Sequence, residues 1–251
     1  MQLLKVSVIM PSYNSAAYVR EAINSVLAQT YKNWELIIVD DASTDNSIDV
    51  ITPYMENDPR IRLHVNEKNA GAAATRNKCT ELATGDVIAF LDSDDLWLKE
   101  KLEKQVAVYR SDPSATFVFT HYQCMDKDGD PFGKEIKTLP VLDYNELLKG
   151  CSIGCLTVSY NVNILGKRFF VDYGHEDYIL WLQILKEGHQ AIGVPESLAW
   201  YRITKGSLSA NKLKAAGWQW NIYRKFEKLN VMQSMYYFVL YAFAAIRKHY
   251  L

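Results

Sequence analysis

Residues 86–97 read DVIAFLDSDDLW: a short apolar run, then Asp92, Asp94 and Asp95 within four positions. An apolar run of this length reads as a strand buried on both faces. Two stretches upstream have the same form. KVSVIM (5–10) leads into PSYN, and WELIIVDDAS (34–43) ends in Asp40 and Asp41. IRLHV (61–65) is a further short strand. Between these runs, residues 16–29, 44–55, 70–82 and 98–110 place apolar side chains at helical spacing, with Thr44 or Asp45 as the cap of the second segment and Pro53 bending or ending it. Buried strands alternating with helices predict an α/β fold with a mostly parallel central sheet flanked by helices. Ligands of such sheets sit beyond the carboxyl ends of the strands. MPSYN, VDDAS and LDSDD all fall there, so the unusual residues gather at one edge.

The second half is less regular. ATFVFTHYQCMD (115–126) reads as one or two strands, 127–140 as a polar loop, 143–149 as a short helix and SIGCLTVSY (152–160) as a strand. GHEDYILWLQILKEG (174–188) is an amphipathic helix entered through an acidic pair. Residues 191–203 suggest two short strands around Pro195, and a long helix follows from 211 to 229. The expected organisation is one domain over 1–210, with a nucleotide-binding half (1–112) and an acceptor and catalytic half (113–210). A helical segment over 211–251 completes it.

With 28 basic and 29 acidic residues among 251, nothing draws the chain globally toward nucleic acid. The start, MQLLKVSVIMPSYN, has no signal-peptide form, and no apolar run reaches the length of a membrane span. A reducing, cytoplasmic location is the expectation, with Cys79, Cys124, Cys151 and Cys155 unbonded in the core. Cys151 and Cys155 do not have metal-pair spacing.

Asp92 and Asp94, two apart in an extended or turning segment, suit a hard cation such as Mn²⁺ or Mg²⁺. A solvated turn with Asp94 or Asp95 capping the next helix is the plainer alternative. Asp40 and Asp41 suit the N–H groups of a base or the hydroxyls of a ribose, or equally a turn. Tyr13, beside Pro11, suits stacking on a base. Arg76, in the small-residue segment NAGAAATRN (69–77), suits a phosphate or a salt bridge to a nearby aspartate. Neither G-x-G-x-x-G nor G-x-x-x-x-G-K-[ST] is present, which argues against a dinucleotide enzyme and a P-loop NTPase. A phosphorylated nucleotide held among carboxylates needs a cation between them.

MPSYNSAAYVREAINSVLAQTYKNWELIIVDDASTDNS, NAGAAATRNKC, FLDSDDLW and GHEDYILWLQILKEG together resemble the inverting glycosyltransferases of family 2 with the GT-A fold, in particular those of bacterial cell-surface polysaccharide, lipopolysaccharide, O-antigen and capsule synthesis. The resemblance implies a nucleotide-diphosphate sugar donor, a UDP-sugar in first place. It implies that Pro11 and Tyr13 line the nucleotide pocket and that Asp40 and Asp41 contact the base. Arg76 would lie near base or diphosphate, Asp92 at ribose or metal, Asp94 on the metal, and Asp95 near the donor sugar. Asp177, with Glu176 second, would take the acceptor's proton, as the family carries its base in such a pair. YRITKGSLS (201–209) resembles a loop closing over the donor phosphates, with Arg202 and Lys205 meeting them. The Q-x-x-R-W of processive synthases is absent, which argues for addition of one sugar. His175 reads as a substrate contact or an exposed turn residue, and Trp181 as core.

The expected acceptor is a glycan or an undecaprenyl-diphosphate-linked glycan. VMQSMYYFVLYAFAAIRKHYL (231–251) suits a membrane interface at the cytoplasmic face, packing on the domain, or a homodimer. A nucleotidyltransferase and a non-catalytic sugar-binding scaffold remain as alternatives.

Overall fold

The computed structural model describes residues 3–203 and 212–250. The first half follows the alternation of the sequence: β1 (Val6–Ser12), α1 (Val19–Leu27), β2 (Trp34–Asp40), α2 (Ser47–Asn57), β3 (Ile61–Val65), α3 (Ala72–Leu82), β4 (Val87–Phe90), β5 (Leu96–Trp97) and α4 (Lys101–Ser111). All seven residues of β2 are buried, as a strand covered on both faces requires. The second half contains β6 (Phe117–Met125), β7 (Pro131–Ile136), β8 (Val141–Leu142), α5 (Tyr144–Leu148), β9 (Ser159–Asn161), α6 (Val162–Leu165), α7 (Glu176–Lys186) and β10 (Ala191–Arg202), then α8 (Lys212–Asn221) and α9 (Val231–Tyr250).

Among the described residues one sheet runs β3-β2-β1-β4-β9-β6-β10-β5, with β7 on β6 and β8 on β10. Parallel pairing joins β1 to β2 and β4, β2 to β3, and β6 to β10. The short β9 enters antiparallel between β4 and β6, so the sheet is mixed. It also crosses position 112 without a break, so one sheet joins the two halves.

Strand alternation assigns each face. Val6, Val8 and Met10 pack with Ile23 of α1, Ile51 of α2 and Val106 of α4. Ile9 and Phe90 face the other way, toward Cys79 of α3 and Trp181 of α7. Trp181 is fully buried, with Phe90 and Phe117 rings 5.6 and 5.0 Å away. Burying a side chain of this size contributes roughly 1.5–3 kcal/mol, so α7 is pinned to the sheet by its middle.

Four expectations differ. Residues 127–140 contain β7, an exposed edge strand whose proline stands first, where no ladder donor is needed. Residues 152–160 hold a 3-10 turn (155–157) before the short β9. Residues 191–202 form one strand, and Pro195 falls where its register against β6 shifts between Val194 and Ser197. The helix expected over 211–229 becomes α8 and then a π-helical turn at 222–226.

Candidate active site

The acidic loop hangs from the end of β4. The Leu91 N–H still donates to Ile9 O, so Asp92 is the first residue past the sheet. Behind the loop lies Arg202, at the end of β10. Its backbone N–H donates to Asp95 Oδ1 (2.8 Å) and its Nε to Asp94 O (2.7 Å). Its other nitrogens donate to Lys127 O (2.9 Å) and Glu21 Oε2 (2.6 Å). The Arg202 side chain has no exposed surface. It props the loop from within, and its nitrogens are engaged by protein oxygens where a phosphate contact was expected. Asp95 is also buried, and Glu100, not Asp95, precedes α4. Lys205 lies outside the described residues.

Among the described residues Asp95 Oδ2 is buried without a hydrogen-bond partner. Burial, then the charges of Asp94 and Asp92, raises the Asp95 carboxyl well above its usual range. Burial, then Asp92, pushes Asp94 up to about 6. The charge of Asp92 beside the buried Asp94 is one that a divalent cation would relieve. No group of three His, Cys, Asp or Glu among the described residues forms a complete metal cluster. A cation on Asp94 and Asp92 would therefore draw its other ligands from substrate or water.

The second acidic pair opens α7. Arg76 of α3 joins it to the loop: Nη2 donates to Asp92 Oδ1 (2.7 Å) and Nη1 to Glu176 Oε1. The Arg76 side chain is only 12% exposed and lies 5.6 Å from the Phe170 ring. Arg76 is thus a bridge between two carboxylates rather than a free cation. Residues far apart in the chain meet at this guanidinium. Asp177 Oδ1 accepts from the Tyr178 N–H (2.8 Å), and no hydrogen bond among the described residues reaches its Oδ2. Burial raises the Asp177 carboxyl; the Tyr178 N–H, Arg76 and His175 oppose this without cancelling it, and Asp92 adds to the rise. Burial likewise raises Glu176 against the pull of Arg76.

The wall beside the loop is built from the ends of β1 and β2. Asn14 and Ala42 hold left-handed φ of 47° and 58°, which costs non-glycine residues about 1–2 kcal/mol each. Cross-braces hold them: Asn14 N donates to Ser43 Oγ (2.8 Å) and Thr44 N to Asn14 Oδ1 (2.8 Å). Asp40 is wholly buried and accepts from Ser43 N (2.8 Å), Ser43 Oγ (2.6 Å) and Ser12 Oγ (3.2 Å). Asp41, 3% exposed, accepts from Asn66 Nδ2, Ala70 N and Gly71 N at 2.8, 2.9 and 2.8 Å. Burial would raise Asp41, yet these donors hold it below its usual value. Asp40 and Asp41, the two aspartates expected to touch a base, frame the wall in this structure and tie the loops that follow β2 and β3. Pro11 is half-buried, and Tyr13 stands half exposed.

Residues 7–159 match the family model described as Glycosyl transferase family 2. The chain belongs to that family. It is therefore a glycosyltransferase, and its sheet, helices and C-terminal helical segment are those of the GT-A fold. It is 44% identical to TuaG of Bacillus subtilis (strain 168), named as a teichuronic acid biosynthesis glycosyltransferase, over 97% of this chain and 96% of that one. It is 39% identical to WfgD of Escherichia coli, a UDP-Glc:α-D-GlcNAc-diphosphoundecaprenol β-1,3-glucosyltransferase, over 97% and 94%. Two solved structures share the fold. S. aureus TarS (residues 1–349, with UDP-GlcNAc) aligns with a TM-score of 0.70 at 22% identity, over 83% of this chain and 61% of that one. The mannosyltransferase PcManGT of Pyrobaculum calidifontis, with GDP-Man and Mn²⁺, aligns with a TM-score of 0.69 at 21% identity, over 94% and 70%.

Three more residues bear on the acid pair. His175 is half-buried with a left-handed φ of 61°, and its ring stands edge-on to Trp218 of α8 at 5.3 Å. Cys155 is partly buried, packed against the core cluster that contains Trp181. Burial raises its thiol, and Arg76, Asp92, Asp177 and Glu176 all act on it electrostatically. Only Cys79 is fully buried; Cys151 is exposed, and Cys124 and Cys155 are half-buried. Gly174, read as the start of the helix, stands in the turn before α7. A Cβ there would lie 2.1 Å from Trp218 Cδ2, so the loop carrying the acid pair rests directly on the indole. Gly174→Ala must displace that loop. We expect kcat to fall about 10²-fold, the cost of misplacing a reacting group by an ångström, with donor KM little changed. Steady-state kinetics check this.

Proposed function

We propose that the chain transfers one sugar, with inversion, from a UDP-sugar to a hydroxyl of a glycan carried on a lipid diphosphate, as one step of surface polysaccharide synthesis. The observation that carries this reading is the Arg76 bridge. It brings a loop suited to a cation and diphosphate beside a raised, half-open carboxylate suited to a proton. The acceptor class and the uridine nucleotide are favoured by WfgD, which resembles this chain over nearly its whole length.

In the proposed reaction the acceptor oxygen forms a bond to the anomeric carbon as the bond from that carbon to the diphosphate breaks. The electron pair leaves with the nucleoside diphosphate, and the hydroxyl proton passes to Asp177 Oδ2. Asp94 and Asp92 would hold Mn²⁺ or Mg²⁺, which offsets charge on the diphosphate when bound. Tyr13 would stack on the base. Asp40 and Asp41 keep the wall in shape, Arg202 and Asp95 hold the acidic loop forward, and Arg76 fixes its distance from α7. Glu176 is less suited to be the base because Arg76 occupies its Oε1. No helix among the described residues is long and apolar enough to cross a membrane. The proposed location is the cytoplasmic face of the inner membrane, held peripherally.

Incubating the protein with a panel of UDP-sugars and GDP-mannose, with Mn²⁺ or with chelator, tests the class. Release of nucleoside diphosphate from a UDP-sugar, abolished by chelator and stimulated by a lipid-diphosphate-linked acceptor, is expected. Turnover of a nucleoside triphosphate with a sugar 1-phosphate, and none of nucleotide sugars, would overturn it.

A further inference from the structure

The C-terminal segment differs in charge from the rest of the chain. Residues 211–251 carry seven Lys or Arg and one acidic residue, Glu227, while the remaining 21 basic residues are outnumbered by 28 acidic ones. Glu227 is itself buried, paired with Lys186 Nζ at 2.8 Å. Lys214, Lys225 and Lys228 are exposed. Arg247 and Lys248 follow near the end of α9 in sequence.

Helix α9 has two unlike faces. Ser234 is buried, and Tyr237 and Phe238 pack against the core, with the Tyr223 and Trp220 rings 6.2 and 5.7 Å away. The opposite face exposes Met232 (83%), Met235 (58%), Tyr236 (59%), Val239 (51%) and Phe243 (67%). At 100° per residue these five fall within about 100° of arc, and they run along about 16 Å of helix. An exposed apolar stripe of this length on a segment of strong positive charge fits a surface that is apolar within and anionic at its boundary.

The segment is also continuous with the site. Trp218 of α8 carries Gly174 and His175, and α9 packs on α8 and on the π-helical turn between them. A surface engaged by α9 would lie against the same helical unit that supports the loop before Asp177.

We propose that α9 docks on an anionic lipid bilayer, with Met232, Met235, Tyr236, Val239 and Phe243 entering the boundary of the acyl region and Lys225 and Lys228 facing lipid phosphates. The helix lies in the interface and does not cross it. Its stripe is half the length a span requires, and the other face is committed to the domain.

The test uses the full chain with vesicles of phosphatidylglycerol and phosphatidylcholine, against phosphatidylcholine alone, and contains no donor or acceptor. Failure here is thus separate from failure of the proposed transferase reaction. Co-sedimentation with the anionic vesicles, weakened by salt, is expected. Lys225→Glu with Lys228→Glu should weaken binding at least tenfold, since each basic residue near an anionic surface is worth about 1 kcal/mol. Met235→Asp with Val239→Asp should abolish it while the circular dichroism spectrum and thermal midpoint stay unchanged. Equal binding to neutral vesicles, or binding unaffected by the Asp pair, would overturn the proposal. So would a dimer by light scattering that the Asp pair converts to monomer, with no vesicle binding by either form. That result would assign the stripe to a second copy of the chain.

Discussion

Asp94→Asn is expected to lower sugar transfer by about 10²–10³-fold at saturating donor and Mn²⁺, the loss typical of one well-placed electrostatic group. The substitution keeps shape and removes charge. Asp92 cannot compensate, because one of its oxygens already accepts from Arg76. Asp95 cannot either, since it is buried behind the loop with Oδ1 on the Arg202 backbone. The protein without metal should be no less stable than wild type, since three neighbouring carboxylates repel and burial already pushes Asp94 up to about 6. The rise in thermal midpoint on adding Mn²⁺ with UDP should largely vanish in the variant, because a ligand stabilises only what it binds. Full activity with an unchanged Mn²⁺ titration would remove Asp94 from the metal.

Why Asp94 stands out while its neighbours recede shows what the sequence holds and what it does not. The strand ends were legible because a fully buried strand leaves a near-continuous apolar run, and carboxylates at its end are conspicuous. Which way each carboxylate turns is not legible. Asp40 and Asp41 sit at the same strand end as a ligand contact would, yet their oxygens are taken by donors from Ser43, Ser12, Asn66, Ala70 and Gly71. Those partners come from turns whose backbone direction no pattern of residue types records. Arg202 reads as a loop cation from its setting after a strand. It is buried because β10 runs unbroken past Pro195 and delivers it under the acidic loop.

The same limit explains the second half of the fold. β9 is three residues long and sits between two longer strands, so the turn from parallel to antiparallel pairing leaves no periodicity to read. β7 is polar because it is an edge. By contrast, α7 was plain from its spacing, and with it the acid pair at its start. What the sequence left out was the support. Gly174 meets Trp218 from the far side of α7 and β10, a contact that no local periodicity records.

Asp177→Asn should then give the second large effect. We expect kcat for transfer to fall about 10²–10⁴-fold, the span of a general base, with donor KM near wild type because the acidic loop is untouched. Asn preserves acceptance of the Tyr178 N–H, so α7 should keep its start. The pH profile carries the sharper statement. A base works only when deprotonated, and the Asp177 carboxyl is raised by burial, so wild-type kcat should fall on the acid side at a pH above the ordinary aspartate range. Four other groups set that limb. Arg76 and His175 favour the charged form, whereas Asp92 and Glu176 disfavour it. Glu176→Gln removes a like charge and frees Arg76 from its second partner; both changes favour ionised Asp177. The acid limb should therefore move to lower pH, while kcat at its plateau falls by less than about tenfold, far short of losing the base. If Glu176→Gln were the more damaging substitution and Asp177→Asn kept the wild-type limb, the proton would go to Glu176, and the Arg76 contact would have to break during turnover.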